Sequence, residues 1–123
     1  MVGYLQSVIL NGTLSDSPMK DIVETEESRA FYVTMNEAEK LEYENIYAIL
    51  HDTGRLSAPY GEKIAGESNL FAIRIRTGGN ARFFYAYDDG TAVWVLNGYE
   101  KKTEDIPKRE LRRARRLKRK YQL

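Results

Sequence analysis

The chain has 123 residues, of which 42% are hydrophobic, 11% aromatic and 30% charged, with a formal net charge of +1. This length fits one domain over residues 1–123, the apolar share can fill a core, and the balance is not that of a disordered chain. Cysteine is absent, which removes disulfides and thiolate chemistry and agrees with a reducing, cytoplasmic location.

No long apolar run predicts a membrane span, and the start "MVGYLQSVIL" lacks the basic region and cleavage site of a secretory signal. The small net charge conceals an asymmetry. Residues 1–60 carry ten acidic and four basic side chains, a net of −6, whereas residues 61–123 carry eight and fifteen, a net of +7. Nine of the nineteen Lys and Arg lie between Lys108 and Lys120. Either one face meets an anion, or the two halves attract each other.

In chain order, "GYLQSVIL" (3–10) predicts a strand from its β-branched and aromatic content. "SDSPMKDIVET" predicts a helix start, with Ser17 as cap, Pro18 where a missing N–H does no harm, and Asp21 in the first turn. One long helix is expected from Glu27 to Asp52. Phe31, Met35, Ala38, Leu41, Ile46, Ile49 and Leu50 form its apolar stripe, and Gly54 stops it. "GRLSAPYGEK" is a turn-rich loop.

Three strands follow, "NLFAIRIR", "ARFFYAYD" and "TAVWVLNGY", separated by the turn signals "TGGN" and "DDG". They imply an antiparallel meander, with the first strand of the chain added at one edge. Pro107 opens a last helix whose Leu111, Ala114, Leu117 and Tyr121 recur at spacings of three and four. The order β-α-α-β-β-β-α implies an α+β fold: a small antiparallel sheet, two N-terminal helices packed on one face, and a basic C-terminal helix.

Strand alternation puts Phe71, Ile73 and Ile75 on one face, and Arg74 and Arg76 on the other with Ala72. Phe83, Tyr85 and Tyr87 likewise oppose Arg82, Phe84 and Ala86. Val93, Val95, Asn97 and Tyr99 oppose Trp94 and Leu96. The pattern predicts a packed side and an open side bearing several arginines. Arginine forks suit phosphate, and an aromatic ring beside cations suits single-stranded nucleic acid. The alternative is ordinary solvent-facing arginines paired with carboxylates.

Other chemistry is thinly supported. His51 is the only histidine, sits near a helix end and reads as a surface or capping residue. One His without Cys does not make a zinc site. "TGGN" lacks the strand–loop–helix context of a phosphate loop. The acidic run of the long helix reads as a solvated face or a surface for a basic partner.

"SPMKDIV", "GRLSAPYGEKI", "LFAIRIR", "RFFYAYDDG" and "VWVLNGYEKKTEDIPKRELRRAR" together resemble the RelE/ParE toxins, in particular the HigB-like, phage-associated branch. That branch shows a strand reading leucine–aromatic–glutamate–leucine–arginine, and a second strand with arginine and aromatics. A third strand ends leucine–histidine–glycine–aromatic, followed by Lys-Lys-Thr, a spacer, proline and a basic helix. The likeness covers Ser17 to Tyr121 and is most specific from Leu96 to Ala114.

The resemblance implies a toxin of a type II toxin–antitoxin system: an endoribonuclease that cuts messenger RNA on the translating ribosome. It needs no metal or other cofactor. A helix-turn-helix, HigA-like antitoxin silences it, so a monomeric free toxin and a hetero-oligomer with antitoxin are implied. In the reaction the ribose 2′-OH attacks the adjacent phosphate, which needs charge stabilisation and proton transfer.

Matched by position, Arg74, Arg76 and Arg82 are implied to hold the scissile phosphate and Tyr99 to stack a base. One of Lys101 and Lys102 assists proton transfer, and Lys63 meets the RNA. The closing helix supplies Lys108, Arg109, Arg112, Arg113 and Arg116 as a grip on RNA phosphates without sequence choice. Two positions depart from the pattern: Asn97 stands for histidine and Ala72 for glutamate. These departures favour the competing reading, a non-catalytic binder on the same fold, such as a gyrase-inhibiting toxin or a decayed phage protein.

Overall fold

The computed structural model describes residues 19–123, so the expected strand at 3–10 and the Ser17–Pro18 cap lie outside the described residues. The elements are β1 (Asp21–Glu24), α1 (Glu26–Tyr32), α2 (Glu37–Thr53), β2 (Gly61–Lys63), β3 (Phe71–Arg74), β4 (Ala81–Tyr87), β5 (Ala92–Glu100) and α3 (Lys108–Lys120). They build one five-stranded sheet in the order β1-β5-β4-β3-β2. β1 runs parallel to β5, and every other pairing is antiparallel. The expected α+β fold with a three-stranded meander and a C-terminal helix is therefore the observed one.

Three expectations need correction. Residues 21–24 are not the first turn of a helix. They form an edge strand along β5, entered by the Asp21 N–H donating to the Thr91 carbonyl at 2.9 Å. The helix expected at Glu27–Asp52 is two helices, broken over residues 33–36. Asn36 restarts the chain with a capping box: its side chain accepts from the Glu39 N–H at 2.9 Å, and Glu39 accepts from the Asn36 N–H at 3.0 Å. Within "GRLSAPYGEK", Gly61–Lys63 is a short strand on the open edge of β3. The stop at Gly54 is as expected, in the left-handed conformation at φ 77°.

Both faces of the sheet are covered, which is why every residue of β4 but Tyr87 is buried. On one face Tyr43, Ile46 and Leu50 of α2 pack with Ile73, Ile75, Phe83, Tyr85, Val93 and Val95. On the other, Ala114 and Leu117 of α3 pack with Ile64, Leu70, Ala72, Phe84, Ala86, Leu96 and Tyr99. The stripe expected on the last helix is the one that docks. The open, arginine-bearing side shrinks to the margin that α3 leaves uncovered.

A β-bulge in β5 sets which residues reach that margin. Phe83 pairs with Gly98 but Tyr85 pairs with Val95, so Leu96 and Asn97 together oppose Phe84. The extra residue reverses the alternation, and Tyr99 lands beside Arg82 on the α3 face rather than with Val93 and Val95. Thr25 locks the bulge from the other side. Its N–H donates to the Val95 carbonyl at 3.2 Å, and its hydroxyl donates to the Leu96 carbonyl while accepting from Ser28, capping α1.

Gly98 is where α1 touches the sheet: a Cβ there would lie 2.1 Å from Phe31 Cδ2 and 2.6 Å from Phe31 Cβ. Gly98→Ala is expected to lower stability by about 1–3 kcal/mol through overpacking. In a Phe31→Ala background the same change costs less, which a double-mutant cycle of urea unfolding measures.

Tyr43, Tyr85 and Tyr99 are buried, and burial pushes each phenol above its ordinary 10.0. The folded chain then holds phenolic protons that the unfolded chain loses. Stability is complete below that value and falls as pH rises past it. Urea midpoints from about pH 8 to about pH 11 should stay level and then decline above about pH 10.

Candidate functional site

At the end of the sheet nearest the start of α3, three neighbouring strands put Arg74, Arg82 and Tyr99 in one cross-strand row. Arg74 pairs with Arg82, and Arg82 pairs with Tyr99. Two like charges directly opposite each other destabilise a sheet. Arg74 is exposed, but Arg82 is only 6% exposed. Burial, followed by the Arg74 charge, lowers the pKa of the Arg82 guanidinium.

The row is rigidly held. Arg82 Nη1 donates to the carbonyls of Gly79 at 3.0 Å and Ala81 at 3.1 Å, folding the guanidinium back on the β3–β4 turn. Tyr99 is 3% exposed, and its ring stacks on Phe84 at 4.5 Å between centroids. The ring, expected to stack a base, is thus covered by the fold and stacks on Phe84. Its phenol stays protonated, because burial and then the Glu62 charge push its pKa up.

Asn97, at the position where the resemblance leads one to expect histidine, is fully buried. Its Nδ2 donates to the Glu110 carbonyl at 3.1 Å and to Glu110 Oε1 at 3.3 Å, fixing the first turn of α3 to the sheet. Glu110 also pairs with Arg113 at 3.2 Å. Among the described residues, the buried side-chain polar atoms without a protein partner are Arg82 Nε, Asn97 Oδ1 and Tyr99 OH. They lie on one face at one end of two adjacent strands. Buried polar atoms without a partner are rare, and here three occur on two adjacent strands.

Beside the row lies a groove of about 600 Å³ between the β2–β3 edge and the start of α3, lined by Glu62, Lys63, Lys101, Glu104, Asp105 and Lys108 among others. The Lys101 N–H donates to the Asn80 carbonyl at 2.8 Å, which ties the end of β5 to the same turn that receives Arg82. Lys63 Nζ donates to the Glu67 carbonyl at 2.9 Å.

The structure thus sets Arg74, Arg82 and Tyr99 in one row and Lys63, Lys101 and Lys108 along one groove. It brings Arg76, expected on the face of Arg74, to neither. β3 ends at Arg74, and the Arg76 and Thr77 N–H groups are held by the Glu42 carboxylate at 2.5 and 2.7 Å. Arg76 lines a recess with Glu42, Ile46 and Ile49 on the α2 side. Lys102 pairs outward with Glu100 at 3.4 Å, both exposed.

On α3, Arg109, Arg112 and Arg116 are exposed and form a stripe at spacings of three and four. They make no ion pair among the described residues, whereas Arg113 is occupied by Glu110. Arg115 instead binds Glu67 at 2.5 Å, and Lys118 donates to the Ser68 carbonyl, so these two cations clamp α3 to the β2–β3 connection. No ion pair among the described residues joins the two oppositely charged halves of the chain.

Sequence reading missed Glu62 and Glu110. Glu62 is the cross-strand partner of Ala72 and lies within electrostatic reach of Arg82 and Tyr99. A three-residue strand carries no periodicity to reveal it. Glu110 follows Pro107 by three residues, the spacing of a first-turn carboxylate, and that signal was available. Among the described residues there is no cluster of metal-ligating side chains, and no helix is long and apolar enough to cross a membrane.

No curated protein matches the chain. Among solved structures, the free form of a double-arginine mutant of the E. coli toxin RelE is 14% identical with a TM-score of 0.63, covering 80% of this chain and 96% of that one. A chain of the intact E. coli RelBE toxin–antitoxin complex is 15% identical with a TM-score of 0.57, covering 68% and 99%. The YoeB dimer from Staphylococcus aureus is 15% identical with a TM-score of 0.54, covering 67% and 98%. At these identities the likeness is one of fold. A family model described as "Phage derived protein Gp49-like" matches residues 34–119, well over half of the sequence. The chain therefore belongs to the Gp49-like family of phage-derived proteins and carries the RelE toxin fold.

Proposed function

We propose that this protein is the toxin of a toxin–antitoxin pair, of the HigB-like kind, and that it cleaves messenger RNA on the ribosome until a helix-turn-helix, HigA-like antitoxin neutralises it. The fold neighbours support the pairing, since one is a toxin–antitoxin complex. The single observation that carries the nuclease reading is the Arg74–Arg82–Tyr99 row with its orphaned polar atoms.

A phosphodiester seated over the row relieves the repulsion between Arg74 and Arg82 and gives the unpartnered Arg82 Nε an acceptor. As the ribose 2′-oxygen bonds to phosphorus, charge grows on the non-bridging oxygens. In this reading two guanidinium groups and the protonated Tyr99 hydroxyl donate to those oxygens and stabilise the charge. The P–O5′ bond then breaks, leaving a 2′,3′-cyclic phosphate and a 5′-hydroxyl. The 2′-hydroxyl gives up one proton and the 5′-oxygen receives one. Lys101, which lines the groove, is the better candidate for proton transfer, because Lys102 faces outward to Glu100. Asn97 takes no part in proton transfer, since an amide does not titrate.

Lys63 and Lys108 at the groove extend the path for the RNA backbone, and Arg109, Arg112 and Arg116 continue it along α3. Arg76 belongs to neither set.

Arg82→Ala should relieve growth arrest on induction and lower mRNA cleavage by about 10²-fold or more, read by primer extension on cellular mRNA. Growth arrest that persists in this variant without cleavage sinks the ribonuclease reading, and DNA damage on induction points to gyrase instead. Tyr99→Phe separates chemistry from packing. Removing an unpartnered buried hydroxyl should leave stability unchanged or raise it by up to about 1 kcal/mol, while cleavage falls. For the helix stripe, changing Arg109, Arg112 and Arg116 together to Ala should weaken RNA binding without altering the cleavage site. It should also reduce the slope of log affinity against log salt by about two to three.

A further inference from the structure

The phosphate row is not purely cationic. Glu62 sits on the neighbouring edge strand, directly across from Ala72. The alanine contributes only a buried methyl and no charge of its own there. Glu62 and Lys101 both line the groove. The Glu62 carboxylate acts on both Arg82 and Tyr99, but it forms no ion pair among the described residues, and its side chain is exposed. Glu110, the other carboxylate acting on Tyr99, is occupied by Arg113 and Asn97. Across the row two guanidinium charges therefore face one unpaired carboxylate. Further out in the groove Lys63, Lys101 and Lys108 stand against Glu104 and Asp105.

We propose that Glu62 sets the charge of the phosphate this site accepts, favouring the singly charged internal phosphodiester of an RNA chain over the doubly charged terminal phosphomonoester. Coulomb repulsion from a fixed carboxylate scales with ligand charge, so it costs a dianion twice what it costs a monoanion. A site of two bare arginines would be held by phosphate monoesters and by free chain ends. One fixed negative charge removes much of that advantage while leaving enough attraction for a diester. The inference rests on the reading of the row as the scissile-phosphate site.

The test uses the full chain and a matched pair of probes, uridine 3′-monophosphate and its methyl ester, titrated at low salt and about pH 8, where the monoester is a dianion. Binding is followed by NMR shifts of the Gly98 and Tyr99 amides, for the wild type, Glu62→Gln and Arg82→Ala. Glu62→Gln should gain about threefold in affinity for the methyl ester and about tenfold for the monoester, the second gain being the square of the first. Equal gains for both probes, or no gain, overturn the role of Glu62. If Arg82→Ala binds both probes as well as the wild type does, the row is not the phosphate site and the functional reading fails with it. Loss of both probes in Arg82→Ala with equal gains in Glu62→Gln removes only the present inference.

Discussion

The extra residue in β5 is the constraint on which the site depends. In an unbulged strand Tyr99 would share the α2 face with Val93 and Val95. With Leu96 and Asn97 both set opposite Phe84, Tyr99 instead joins Arg82, and Asn97 turns to hold α3. Such an irregularity is stable only if its loosened backbone groups are satisfied. Thr25 does this by bonding the Leu96 carbonyl with the same hydroxyl that caps α1. Gly98 then allows α1 to lie against the strand through Phe31, whose ring also meets Phe83 edge-on at 5.3 Å. Helix start, bulge and site are thus one mechanical unit.

The row of charges is the second constraint. Burying Arg82 next to Arg74 is unfavourable in the free protein, and the backbone carbonyls of Gly79 and Ala81 offset only part of it. Structural stability alone gives no reason to keep that pair. Sites that bind anions give one, because a cationic pair strained in the free state is relieved when the ligand arrives. The β3–β4 turn is correspondingly stiff: Glu42 holds its start from α2, and Lys101 holds its end through Asn80.

Much of this was legible in the sequence, for reasons that differ by element. β3, β4, β5 and α3 each carry a full period of their pattern, two for strands and three to four for the helix, bounded by turn residues. β1 was misread because "DIVE" is too short to show alternation and follows a proline that mimics a helix start. Its strand state comes from a parallel pairing about seventy residues away in sequence. The break between α1 and α2 was hidden by apolar spacing that runs on through Phe31 and Met35. The Asn36–Glu39 capping box that marks it can be read from the sequence. At the site, Arg74 and Arg82 were legible from strand parity, and Lys101 from its place after the strand. The placement of Tyr99, Arg76 and Glu62 was not, since a bulge, a strand end and an edge pairing decide it.

The two sides of the sheet differ in electrical sign as well as in packing. Glu26, Glu37 and Glu44 are exposed on the α1–α2 side, and Arg109, Arg112 and Arg116 on the α3 side. A nearly neutral molecule therefore presents carboxylates beyond one face of its sheet and guanidinium groups beyond the other. In the field of a polyanion a body charged in this way would turn before contact, with α3 foremost. Any such capture would gain in rate without a net charge that binds the molecule to every polyanion in its path, and the gain would fade as ionic strength rises.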